Sequence, residues 1–274
     1  MKCLLRNKEA FKARGVAVPG PGKYRRLLRE TMNAMASSDA SENAREVLLD
    51  AILDDENADR VLLSNAHFFG APRAAVRRGM LYPNAPERMV YMSEIFGEDQ
   101  IELFMALRNP ASFLPAAFAK SPRDGLGSFM GGVDPLAVRW SDTLLRIREA
   151  APEVSITVWC NEDAPLIWSG IIRDMAGLEQ GEEVIGGFDL LTEIMVPEGM
   201  VRFRHYLETH ADMTETQKQH VAVAFLDKFA REDAIEEELD MPGWTDELVS
   251  ELTEIYDEDV LDIARISGVK LLSP

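Results

Sequence analysis

Ile101–Ala117 reads IELFMALRNPASFLPAA. From Ile101 to Leu107 every residue but Glu102 is apolar, the pattern of a strand covered on both faces rather than one that alternates between core and water. The strand runs directly into Arg108-Asn109-Pro110 and then a second apolar run. Asn109 suits the N-cap of a helix, Pro110 its first position, and Ser112 falls in the first turn. A guanidinium then stands beside helix-terminal N–H groups at the end of a strand, an arrangement suited to phosphate. The same residues also read as an ordinary strand-to-helix turn with a surface arginine.

The pattern repeats on either side. Helices are expected over Lys2–Arg14 (closed by Gly15), Lys23–Ala36, Ser41–Leu53 (capped by Ser41) and Ala85–Phe96. Others follow over Ala111–Phe118, from Asp134 as cap to Ala150, and over Pro165–Ala176. Short apolar strands are expected at Val16–Val18, Val61–Ser64 and Val154–Cys160. Such alternation implies an α/β fold, a parallel sheet flanked by helices over residues 1–180. Its strands at 61–64, 101–107 and 154–160 should end on one edge, gathering Ser64, Arg108 and Asp163. From about residue 200 only helices are expected: Met200–His210, Glu215–Arg231 and Trp244–Ile266. The 274 residues are read as a single domain with a helical C-terminal part, 200–274.

The 101–117 element resembles the second nucleotide-binding element of the sulfotransferases. In that family a strand ends in Arg-(Asp/Asn)-Pro. The arginine and a serine eight positions later hold the 3′-phosphate of the sulfate donor, 3′-phosphoadenylyl sulfate (PAPS). Arg108, Asn109 and Pro110 match; the serine position is Ala116, and Ser112 lies a turn earlier. Cys3–Pro19 resembles the helix, Gly turn and strand that follow the family's phosphate loop. Arg60–Phe68 resembles the strand ending in Ser-Ser-Glu, with Ala66 in place of the acid, and Ser155–Asp163 the later strand with its acidic turn. The resemblance implies a P-loop-type fold and a cofactor-binding set of Arg108, Asn109, Ser112 and Ser64, with PAPS as co-substrate.

The family's Gly-x-x-Lys-(Ser/Thr)-Gly loop, which holds the 5′-phosphosulfate, has no counterpart, nor is there a Walker loop. Met1 falls about where the helix after that loop begins. The chain therefore either starts late or descends from a form without the strand and loop. The missing loop, Ala66 and Ala116 together imply a degenerate or truncated sulfotransferase-like protein that binds a small anionic ligand, or an unspecified protein partner, without transferring sulfate. The competing expectation is an active PAPS-dependent enzyme acting on a hydroxyl or amine. In that case His67, just past the 61–64 strand, is the candidate base. A lone histidine beside Phe68 and Phe69 reads equally as a packed or surface residue.

Composition narrows the classes. Net charge is −18, and residues 232–262 hold fourteen Asp and Glu with no Lys or Arg, whereas residues 1–30 hold nine basic and two acidic side chains. An acidic tail opposes nucleic-acid binding, which the phosphate backbone dominates. No apolar run reaches the ~18 residues of a membrane span. Two cysteines without C-x-x-C spacing point to a reducing cytoplasm. His205, His210 and His220 do not stack on one helical face, so no metal site is expected.

Overall fold

The computed structural model describes residues 1–53, 57–120, 125–235, 241 and 243–274. The chain begins with two short helices, α1 (Lys2–Arg6) and α2 (Lys8–Lys12), rather than one. They part at Asn7, a buried side chain that donates to Cys3 O (2.8 Å) and Ile185 O (2.9 Å) and accepts the Ile185 N–H (2.9 Å). Leaving the helix register satisfies an amide that would be costly to bury unpaired. Gly15, at φ +73°, turns the chain into β1 (Val16–Ala17), the left-handed conformation that suits glycine.

Two helices, α3 (Pro21–Met35) and α4 (Ala44–Leu53), lead to β2 (Arg60–Val61), which pairs parallel with β1. A small antiparallel hairpin of β3 (Val76–Arg77) and β4 (Met80–Leu81) precedes α5 (Ala85–Ile95). Then come β5 (Glu102–Leu107) and α6 (Pro110–Ala119), as the 101–117 stretch predicts. Helix α7 (Leu126–Met130) is followed by a 3₁₀ turn, Pro135–Ala137, and it is this turn that Asp134 caps. Helix α8 (Trp140–Ala150) starts only afterwards. Its first N–H groups are accepted by a distant carboxylate, Asp259, at 2.6 Å from Trp140 N and 3.3 Å from Ser141 N. Long-range capping replaces the local one expected from Asp134.

The remaining elements are β6 (Ser155–Cys160), α9 (Ala164–Ala176), α10 (Asp189–Ile194), α11 (Pro197–Thr209) and α12 (Glu215–Phe229). After α13 (Glu232–Ile235) come α14 (Asp246–Ile263) and β7 (Val269–Leu272). The acidic run at 236–240 lies outside the described residues. The expected all-helical end is corrected by β7, which completes a three-stranded parallel sheet in the order β5-β6-β7. Helices flank this sheet. α14 packs on α6 and α8 and sends Tyr256 and Ile263 into the largest apolar core, beneath Leu107, Leu114, Trp140 and Leu144.

A second correction concerns the 61–64 strand. It is shorter than expected and bonds to β1, not to β5. Leu62, on one face, packs with Cys3, Leu4, Phe11 and Ile172; Val61 and Leu63, on the other, pack with the α3–α4–α5 cluster. The same division holds in β5: Phe104 packs toward α9, Leu103 and Met105 toward the opposite layer. The β1-β2 pair and the β5-β6-β7 sheet therefore present their faces to matching helix layers, yet no ladder joins them.

Candidate functional site

Between β2 and β5 lies a cavity of about 740 Å³. Its sides are two runs of backbone, residues 58–66 and 99–106. Leu28, Leu49 and Ile52 line it from one helix layer, Trp168, Ile172 and Met175 from the other. Ion pairs close its amino end. Arg60 bonds to Glu102 across the gap, and Arg45 holds Asp99 through two 2.7 Å hydrogen bonds. At the carboxyl end stand Ser64 and Asn65 from the end of one run and Arg108 from beyond the other.

The turn after β5 is held from several directions. Arg108 Nε donates to Ser112 Oγ at 2.9 Å, and Trp140 Nε1 donates to Arg108 O at 2.8 Å. Asn109 is the N-cap of α6: its Oδ1 accepts the Ala111 N–H at 2.9 Å, and its Nδ2 donates to Thr253 Oγ1 on α14 at 2.9 Å. The Asn109 N–H is itself taken by Glu162 Oε1 at 2.9 Å, and the Ser112 and Phe113 N–H groups bond to Asn109 O. Pro110 has no N–H to offer. The expectation of waiting helix-terminal donors is thereby corrected. The helix end is satisfied internally, with a carboxylate beside it.

Ser64, past the end of β2, is held by α3. Tyr24 Oη lies 2.8 Å from both its N–H, which donates to the phenol, and its C=O, which accepts from it; Arg25 Nε donates to that same carbonyl at 2.9 Å. His67 is exposed and does not line the cavity, whereas its neighbours Asn65, Ala66 and Phe68 do. Its backbone N–H closes a turn on Asn65 Oδ1 at 3.0 Å. Asp163 precedes α9 without a side-chain cap bond, and burial, with Glu162 beside it, raises its carboxyl above the usual range. Among the described residues no cluster of His, Cys, Asp and Glu is placed to hold a metal ion.

Sequence reasoning missed the supports of this turn. Tyr256, on α14, reaches Leu107 O (3.4 Å) and Glu162 Oε2 (3.3 Å), and burial drives its phenol far above its ordinary range, so it serves as a neutral donor. Trp140 and Tyr256 are aromatic residues with one polar atom, the type that anchors backbone in a core. Nothing local to either links it to Arg108. No helix among the described residues is long and apolar enough to cross a membrane. Comparison with known protein families, characterised proteins and solved structures returned no match.

Proposed function

We propose that the carboxyl end of this cavity binds a small anionic ligand, a phosphate group of the nucleotide type, and that residues 1–274 do not transfer sulfate. The observation that carries the reading is the 2.9 Å bond from Arg108 Nε to Ser112 Oγ at the carboxyl end of a parallel strand, with Arg108 lining the same cavity as Ser64 and Asn65. Ligands of open α/β sheets bind at this edge, and guanidinium and hydroxyl groups are the donor types that suit phosphate oxygens.

PAPS fits in one half. Its 3′-phosphate would be met by Arg108 and Ser112, the pairing that the sulfotransferase resemblance implies, with Ser112 standing in for the serine absent at Ala116. Among the described residues its 5′-phosphosulfate has no such partner: none of those lining the cavity is a lysine, and Arg45 and Arg60 are engaged at the opposite end. His67, the candidate base, stands outside the lining. The sulfotransferase-like reading is thus one of a degenerate or truncated relative that keeps a nucleotide-phosphate site.

Calorimetry with adenosine 3′,5′-bisphosphate is the test. Weak binding is expected, abolished by Arg108→Ala, since a charged hydrogen bond contributes ~1.5–3 kcal/mol. Ser112→Ala should weaken it less. Binding indifferent to Arg108→Ala would retire the site, and label transferred from radioactive PAPS to pooled phenol, sugar and amine acceptors would retire the non-enzymatic part.

A further inference from the structure

Tyr82 is held in a backbone conformation that its residue type avoids. Its φ is +42°, although a bulky side chain disfavours positive φ and the Pro83 that follows favours extended backbone before it. Neighbouring groups fix this turn on both sides. The Tyr82 N–H donates to Ala75 O at 2.7 Å, and the Tyr82 carbonyl accepts the Ala85 N–H at 2.9 Å. The preceding carbonyl, that of Leu81, accepts from Thr143 Oγ1 at 3.1 Å and from the half-buried Arg146 at 2.8 Å. Strain of this kind lasts only where the surroundings over-determine it, and it gathers at ligand sites.

The Tyr82 ring stands in the wall of the cavity between β2 and β5. Its centroid lies 6.0 Å from those of Phe69, Phe113 and Trp140, which line the same cavity. Trp140 is the indole that donates to Arg108 O, and Phe113 follows Ser112 on α6, so the aromatic wall adjoins the anion end. Phe69 and Trp140 are buried, whereas Tyr82 and Phe113 are half-buried and supply the open ring surface. A buried phenol ordinarily finds a partner. Tyr24 and Tyr256 do so, on the main chain of Ser64 and Leu107. The Tyr82 hydroxyl has no hydrogen-bond partner among the described residues. Burial raises its pKa, which keeps it a neutral group able both to donate and to accept.

We propose that Tyr82 recognises the ring of the ligand whose phosphate Arg108 meets: a nucleobase lies against Tyr82 and Phe113 and hydrogen-bonds to the Tyr82 hydroxyl. The proposal rests on the anion reading above and adds what separates a nucleotide from free phosphate. Stacking on an aromatic face suits any base, and the hydroxyl supplies a polar contact at the base edge. Inorganic phosphate would have no use for the ring surface. A hydrocarbon would leave the hydroxyl unpaired.

Tyr82→Phe is the test, because it keeps the ring and removes only the hydroxyl. Calorimetry gives the affinity for adenosine 3′,5′-bisphosphate, and phosphorus NMR titration that for inorganic phosphate. Tyr82→Phe should weaken the bisphosphate about threefold to tenfold and leave inorganic phosphate unchanged, whereas Arg108→Ala should abolish both. Unchanged bisphosphate affinity in Tyr82→Phe, or an equal loss for the two ligands, overturns the Tyr82 role and leaves the anion site standing. If the unmutated protein binds neither ligand, the anion reading falls and the Tyr82 role with it. Urea unfolding supplies a measurement that needs no ligand. A hydroxyl without a partner contributes nothing to the fold, so the midpoint of Tyr82→Phe should equal or exceed that of the unmutated protein. A lowered midpoint would show that the hydroxyl serves the fold and overturns the proposal.

Discussion

Asp259 is the least expected side chain in the molecule. It is buried on α14 at a position in line with Leu252, Tyr256 and Ile263, where the helical period calls for an apolar residue. Its carboxylate accepts the Trp140 and Ser141 N–H groups and the Ser141 hydroxyl, and so starts α8 from across the core. Because the bonds are charged and water is excluded, Asp259→Ala should cost about 2–3 kcal/mol in urea unfolding. Asp259→Asn should recover part of that loss, since one amide oxygen can still accept. A loss below ~0.5 kcal/mol would show that the cap contributes little. At this scale the sequence was legible where a motif is local. Arg108, Asn109 and Ser112 form one turn in the order their residue types suggest. Ser64 lines the cavity with Arg108, whereas Asn109, Ser112 and His67 are not part of its lining. Asp259, Glu162 and Tyr256 act on partners 119, 53 and 149 residues away, a relation no residue window contains.

Among elements, the helices with apolar periods and the strands β5 and β6 lie close to where composition predicts them. The failures share one cause. β7 offers only Val269, Leu271 and Leu272 around an exposed Lys270, too little pattern to stand out; it is a strand because β6 has an edge to fill. The two-residue β2 likewise owes its extent to β1. Helix contacts also carry constraints invisible in propensity. Gly199, buried on α11, faces Phe229 on α12 so closely that an added methyl would fall inside the van der Waals shell of the phenylalanine Cβ. Gly199→Ala should therefore destabilise by about 1–3 kcal/mol through overpacking, outweighing the ~1 kcal/mol that alanine gains over glycine within a helix. The clash is with a Cβ, so Phe229→Leu should not relieve it. A rise in urea midpoint for Gly199→Ala would contradict this contact.

At the scale of the whole molecule, α9 joins the sheet to the helices behind it. Ile167 and Ile171 pack with Trp159, while Arg173 meets Glu215 on α12, which Lys218 also binds at 2.8 Å. Burial pushes the Glu215 carboxyl up, but the bonds to Lys218 and Arg173 outweigh it and leave its pKa lowered. A lowered folded-state value means that the stabilisation is complete above the ordinary carboxylate pKa of ~4.3 and disappears as pH falls through the folded value. Exchange protection of α11 and α12 should then drop before that of β6 as pH is taken from ~6 to ~3, and Glu215→Gln should remove most of that dependence. Simultaneous loss in all three would assign the acid response elsewhere. The β7 strand also has a consequence in time. Roughly a hundred residues separate β6 from its partner, so at ~5–20 residues per second a ribosome finishes β6 some 5–20 s before β7 exists. Throughout that interval the nascent chain carries an unfilled Ser155–Cys160 edge, and synthesis rate sets how long other chains can reach it.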